Sequence, residues 1–433
     1  MAKDSLTIRR ADPRLHVMMF LQYAVAGVYI PIAARFLSAE PGGGGLGFTD
    51  GQIGMIMAGA GAIGAVTAPF LGGQVADRYF ATQRCLGALL VAAGVVKLIM
   101  AHQQTYWAWL WLSVLGAVAY SPTTALSNSL AMAHMADPKR QFPGVRVWGT
   151  VAWVAVAWAF PMIWLQTDLR LQWLPPFFAG ELLPDAPARM IDSVKVSGVL
   201  AIAYGLFSWF CLPHTPPKRD AVEKLAFAKA FGLLRRRSLT VLVAAALLLG
   251  VIHSLYFLQT SKFLAARGLA DNYLMPAMSI GQISEVAVMA FLGALLGRLG
   301  FRPVLLLGAF SYVLRYLIFG TEGLPLSVLV ASQFLHGLCF ACVAVASYIY
   351  IDRAAPEDVR HSMQTVFALV VSGVGSLIAG PFNGLLARWC TPPGGVLDYS
   401  RFWYAAAGVG VVALVLLALL FRDETASAPD GER

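Results

Sequence analysis

Gly73-Gln-Val-Ala-Asp77-Arg78, with Arg84 close behind it, has a counterpart in the second half of the chain, Gly293-Ala-Leu-Leu-Gly297-Arg298-Leu-Gly300-Phe-Arg302. Each copy lies in a short basic loop just after the second long apolar segment of its half. A motif repeated at matching places predicts two related helical bundles in tandem, the layout of a secondary transporter.

The residues around the two copies agree. The chain of 433 residues is 58% hydrophobic and 13% charged, with a mean hydropathy of +0.68. An ordinary soluble domain is about 45–50% apolar and about 25% charged. A membrane-spanning helix needs about 20 apolar residues, and twelve segments meet that requirement, from residues 16–37 to residues 402–421. The expected class is an all-α integral membrane protein of twelve helices in two six-helix repeats. Its parts are an N-terminal bundle (1–212), a basic cytoplasmic linker (213–238), a C-terminal bundle (239–421) and a cytoplasmic tail (422–433).

The formal net charge of +9 raises the question of nucleic acid, and its distribution answers it. With sides alternating from a cytoplasmic start, roughly two thirds of the lysines and arginines fall on the inner side, as the positive-inside rule requires. Lys218, Arg219, Lys224, Lys229, Arg235, Arg236 and Arg237 crowd the linker, where Ala221 to Leu234 fits a surface-lying amphipathic helix. The basic residues therefore orient the chain in a bilayer, and no nucleic-acid partner is expected. Met1 to Arg14 is polar and basic, with no small-residue cleavage site after the first apolar run, so the first helix is expected to be retained.

The five cysteines, Cys85, Cys211, Cys339, Cys342 and Cys390, stand in no metal or redox spacing. There is no cofactor loop and no nucleophile motif in a strand-turn-helix setting. Neither an enzyme nor a bound cofactor or metal is expected. The Gln166 to Asp192 loop, with Trp173, Pro175 and Pro176, reads either as a plain surface loop or as a shield over an outer vestibule.

The two Gly-x-x-x-Asp-Arg-type copies resemble the loop signature of the major facilitator superfamily. Within it, Ala119-Tyr-Ser-Pro-Thr123, Phe142-Pro-Gly-Val-Arg146-Val-Trp148-Gly149-Thr150, Ser279-Ile-Gly-Gln282-Ile-Ser-Glu285 and Leu314-Arg315 resemble the nucleoside:proton symporter family, colinearly through nearly all twelve helices. The resemblance implies alternating access and a nucleoside site lined by Arg146, Thr150, Gln282 and Glu285.

The residues carry physical reasons of their own. In the loop copies, Gly73 and Gly293 would let helices approach closely. Asp77, Arg78, Arg298 and Arg302 would form pairs that lock the inner mouth and break when it opens. Gln282 and Glu285, three residues apart, share a helix face. A carboxylate at the centre of a membrane helix costs roughly 2.5 kcal/mol or more by insertion scales and usually faces a cavity. A glutamine can exchange paired hydrogen bonds with a base edge or with sugar hydroxyls. The alternative for the pair is a polar contact between helices.

The sequence also departs from the family. Ser254 and Phe257 stand in the seventh helix where the family pattern is polar, and Ala341 stands in the tenth where it has an aspartate. A shifted register in the seventh helix would bring Gln259 inward instead. His253 and His336 lie in those two helices and can carry protons near physiological pH. Lys97 and Arg315 read as snorkelling or carbonyl-bound cations. Tyr348 and Tyr350 read either as packing aromatics or as faces for stacking on a ring ligand.

The sequence thus predicts a monomeric inner-membrane carrier with both termini cytoplasmic. It would move a nucleoside or similar small polar ring compound with a proton coupled through Glu285, assisted by His253 and His336. A sugar, aromatic acid or drug carrier of the same superfamily, or a membrane receptor or scaffold without flux, are the alternatives.

Overall fold

The computed structural model describes residues 11–69, 80–174, 176–216, 232–233, 235–356 and 359–424. Gly73, Asp77 and Arg78 lie outside them, as does most of the surface helix expected over Ala221 to Leu234.

Among the described residues, twelve long helices carry the chain back and forth. The first half holds α1 (Pro13–Ser38), α2 (Asp50–Ala68), α3 (Thr82–Met100), α4 (Tyr106–Ala133), α5 (Pro138–Trp164) and α6 (Asp192–Cys211). The second holds α7 (Arg237–Ala266), α8 (Asp271–Leu299), α9 (Phe301–Gly320), α10 (Leu326–Ala354), α11 (Ser362–Cys390) and α12 (Tyr399–Leu420). Eleven of these are long and apolar enough to cross a membrane.

The remaining helix, α4, is long enough but carries Ser121, Thr123, Thr124, Ser127 and Asn128 in its second half. Much of that polarity is satisfied inside the bundle. Gln22 of α1 donates to Thr123 Oγ1 at 3.0 Å and to Thr124 Oγ1 at 3.1 Å, while Ser127 donates back to its Oε1 at 3.2 Å. Burial of these groups together, rather than apolarity, lets α4 span.

The even number of crossings puts α1 and α12 on one face, here the termini face; the other is the far face. Helix α1 breaks at Val28–Tyr29, because Pro31 has no amide to donate and its ring crowds the carbonyl four residues back. The break sets Tyr29 sideways into the interior. Single π-helical turns interrupt α2 at Met55–Gly59, α10 at Phe340–Val345 and α11 at Leu369–Val374; such turns gather where a helix serves a site.

One expectation is corrected. Gly293 is exposed, and a Cβ there would meet nothing within 4 Å, so it mediates no close helix approach. The close approach lies elsewhere: a Cβ on Gly54 of α2 would come within 2.3 Å of the Gly380 carbonyl oxygen on α11. That contact presses the two halves together backbone to backbone.

Candidate transport site and far-face gate

The hydrogen bonds tying the halves together cluster toward the far face. Arg35, near the end of α1, donates from Nε to Asp271 Oδ1 at 2.9 Å and from Nη2 to Oδ2 at 3.4 Å. Lys262, near the end of α7, donates to Asp50 Oδ1, which also accepts Gln259 Nε2 at 2.6 Å. Asn383 closes this knot by accepting from Gln259 at 2.9 Å and donating to the Asp50 carbonyl at 2.9 Å.

Asp50 and Asp271 are each the first residue of their helix, where the helix dipole favours an acid. Arg35 and Lys262 each follow an interior aromatic, the half-buried Tyr29 or the buried Tyr256, by six positions. The two ion pairs are thus one pattern used twice, α1 to α8 and α7 to α2.

The loop before α6 adds to this closure. It forms a small hairpin, Arg170–Leu171 with Phe178–Ala179, that reaches α8. Asn272 donates to Gln166 Oε1 at 3.0 Å and to the Gly180 carbonyl at 3.4 Å, and the Gly180 amide donates to Tyr273 Oη at 3.4 Å. The loop is thereby tied to the second half, while Trp173 and Leu174 at its tip stay exposed.

Deeper in, Trp158 Nε1 of α5 donates to Ser279 Oγ of α8 at 2.9 Å, pinning these helices where the halves meet. Toward the termini face from this pin, Glu285 is about 9 Å along α8, while Thr150 and Arg146 are about 12 and 18 Å along α5 by helical rise. Arg146 lies on the face of the Tyr23 ring, 4.1 Å from its centroid. Gly149 makes room for this: a Cβ there would come 2.4 Å from the Tyr23 ring and 2.8 Å from Arg146 Nη1.

Arg146 of α5 and Glu285 of α8 are near enough to interact electrostatically without a direct ion pair, and Tyr23 lies within reach of both charges. Glu285 and Thr150 are half-buried. Gln282 is 8% exposed, and its buried Oε1 has no hydrogen-bond partner.

The second half holds a separate buried cluster. Arg315 is fully buried, donates to His336 Nδ1 at 2.9 Å and Tyr316 Oη at 3.0 Å, and lies over the Tyr256 ring at 4.5 Å. A guanidinium only donates, so His336 accepts at Nδ1. His253 exchanges a hydrogen bond with Tyr312 Oη at 2.9 Å, and its ring centroid is 5.1 Å from that of His336. A Cβ on Gly281 would come 2.9 Å from the His336 Cβ and 3.1 Å from its ring, so this cluster backs directly onto the helix turn that carries Gln282.

A family model described as Nucleoside H+ symporter matches residues 10–426. The chain belongs to the nucleoside H+ symporter family. This symporter is 29% identical to the Escherichia coli (strain K12) protein YegT over 96% of its own length and 94% of that protein. It is 26% identical to the xanthosine permease of the same strain, over 94% of this chain and 95% of the permease. Among solved structures, that of the nucleoside transporter NupG superposes with a TM-score of 0.79 at 21% identity, covering 95% of this chain and 98% of that one. The fold is the twelve-helix major facilitator fold, and the symporter is a multi-pass membrane protein.

Against that background the other predicted positions take their places. Arg298 is exposed, and Arg302 donates to the Ala418 carbonyl of its own half, so neither joins the halves. Gln259 does turn inward, but to the far-face knot rather than to the level of Glu285. Ser254 and Phe257 line a cavity between the Glu285 level and the far-face gate. Ala341 is fully buried within the π-helical turn of α10.

Sequence reasoning missed Tyr23, both gate pairs and the full burial of Lys97. The gate had a signal: two basic residues six positions after an aromatic, each followed by a helix that starts with aspartate.

Proposed function

We propose that this symporter carries nucleosides with protons across the inner membrane, holding the substrate with Arg146, Thr150, Gln282 and Glu285, and exchanging the coupled proton at Glu285. The observation that carries this reading is the Gln282 Oε1, buried without a partner one helical turn from the half-buried carboxylate of Glu285. An unpaired buried acceptor is unfavourable by about 1–3 kcal/mol; a base edge or a sugar hydroxyl would complete it.

With Glu285 protonated, the partial attraction to Arg146 is lost and Arg146 is freed toward a solute. When Glu285 releases its proton, the attraction returns and the solute contact weakens. Proton and substrate occupancy are in this way coupled through Arg146. His253 and His336 support the site by hydrogen bonding, since His336 already accepts from Arg315.

The termini face is assigned to the cytoplasm on the excess of lysine and arginine on that side, which makes the closed far face the outer one. The inner-mouth lock proposed for Asp77, Arg78, Arg298 and Arg302 would then form in the opposite, outward-facing state, in which Arg298 and Arg302 turn toward the first half.

The test is uptake of labelled uridine into proteoliposomes with an imposed inward proton gradient. The expected result is gradient-dependent accumulation, with other nucleosides competing. Uptake indifferent to the gradient, or competition by lipophilic cations alone, would sink the reading.

A further inference from the structure

We propose that Lys97 makes the cavity on the far side of the substrate site a second contact point that selects aromatic ring compounds bearing a negative charge. The inference rests on the transport reading above and specifies its substrate class. Lys97 is 5% exposed, and its ammonium donates to Ser197 Oγ at 2.8 Å and stands 3.7 Å from the centroid of the Tyr29 ring. The Ser197 hydroxyl donates in turn to the Val25 carbonyl, so it accepts from Lys97 but passes no further acceptor to it. Three N–H donors therefore meet one oxygen and the faces of Tyr29 and, at 5.7 Å, Tyr120. Among the described residues no carboxylate pairs with Lys97.

Arg315 supplies the comparison within the same molecule. It occupies the corresponding helix of the second half and also lies over a tyrosine, but His336 and Tyr316 accept from it. It lines no part of the cavity. Lys97 does line it: the cavity has a volume of about 370 Å³, is walled by aromatic residues such as Tyr29, Tyr120, Trp153 and Phe257, and has no aspartate or glutamate in its lining. That size suits a small ring compound.

A cation in an apolar, aromatic cavity without an acid is completed by an anion, and the walls favour an anion attached to a ring. Ser254 and Phe257 complete the wall from the second half. The buried cation opposite this wall moves the preference from neutral toward anionic rings.

The experiment uses the purified full-length protein and compares uridine with orotidine, the same nucleoside carrying a ring carboxylate, and with the methyl ester of orotidine. For the wild type, orotidine is expected to displace labelled uridine at least tenfold better than its ester, a comparison that needs no mutant. Lys97→Met is expected to abolish that preference while changing uridine affinity less than threefold, and Lys97→Arg to retain it. An ester that competes as well as the acid, or a preference unchanged in Lys97→Met, overturns the proposal. Phenylacetate, which has the ring and the charge but no sugar, separates the two readings. Lys97-dependent phenylacetate binding with no nucleoside binding sinks the nucleoside reading and leaves this one standing; uridine transport with no Lys97-dependent anion preference does the reverse.

Discussion

Arg35 and Asp271 join the two halves of the molecule at 2.9 Å, and Lys262 with Asp50 repeats the contact with the basic and acidic partners exchanged between halves. Each pair is partly buried, with side-chain exposures of 29% and 8% for the first and 10% and 25% for the second. Such a pair lies between the exposed and buried extremes in strength. Together they form a latch on the far face, and their rupture is the event that must precede opening there.

Asp271→Asn should loosen the latch by about 1–3 kcal/mol, moving the balance between closed and open far faces roughly fivefold or more. Spin labels at Ala39 and Leu269 should report a longer distance distribution in the variant. Exchanging the charges, with Arg35→Asp and Asp271→Arg together, should restore the short distance. An unchanged distribution in Asp271→Asn would remove the pair from the gate.

Gly54→Ala should obstruct closure by steric means. The added methyl would meet the Gly380 carbonyl oxygen at 2.3 Å, and overpacking of this kind costs about 1–3 kcal/mol. Because the clash exists only where the halves touch, the variant should fold and bind detergent normally while its far face stays open. Wild-type spin-label distances in Gly54→Ala would contradict this.

Gln282→Leu separates a binding role from a structural one. Replacing a buried group that has no partner should leave thermal stability unchanged or slightly raised. Nucleoside affinity should fall about tenfold, the equivalent of about 1.4 kcal/mol. Loss of stability in step with affinity would mean that Gln282 serves the fold.

Glu285→Gln keeps the shape of the side chain and imitates the protonated acid permanently. Counterflow exchange, which needs no net proton movement, should persist in proteoliposomes, while accumulation driven by a proton gradient should fall to background. His336→Ala should give a milder defect. Normal gradient-driven accumulation by Glu285→Gln would move the coupling role to another group.

The bundle was legible because membrane spanning is written in local composition: long apolar runs, polar breaks and basic loops on one side. The candidate site was legible in part, because a glutamine and a glutamate one turn apart in an apolar helix stand out against their neighbours. The gate was not. Arg35, Asp50, Lys262 and Asp271 lie at helix ends, where charges are ordinary, and their significance comes from pairing across the chain, which no local period records. Lys97 was misread for a related reason. Its position three residues before the end of α3 suits snorkelling, but Ser197 and Tyr29 hold it in the interior. Tyr29 itself is turned there by the break at Pro31, a tertiary consequence of one missing amide.

The exchange of partners at the latch has an electrical corollary. Arg35 and Asp50 belong to one half and Lys262 and Asp271 to the other, so each half brings one positive and one negative charge to the contact. Separating the halves therefore separates two neutral pairs and not two opposite monopoles. The attraction dies away steeply with distance, so the latch grips at contact and exerts little pull once parted. No net charge is displaced through the membrane field by its opening, and any voltage dependence of transport at this step must come from the proton and the solute.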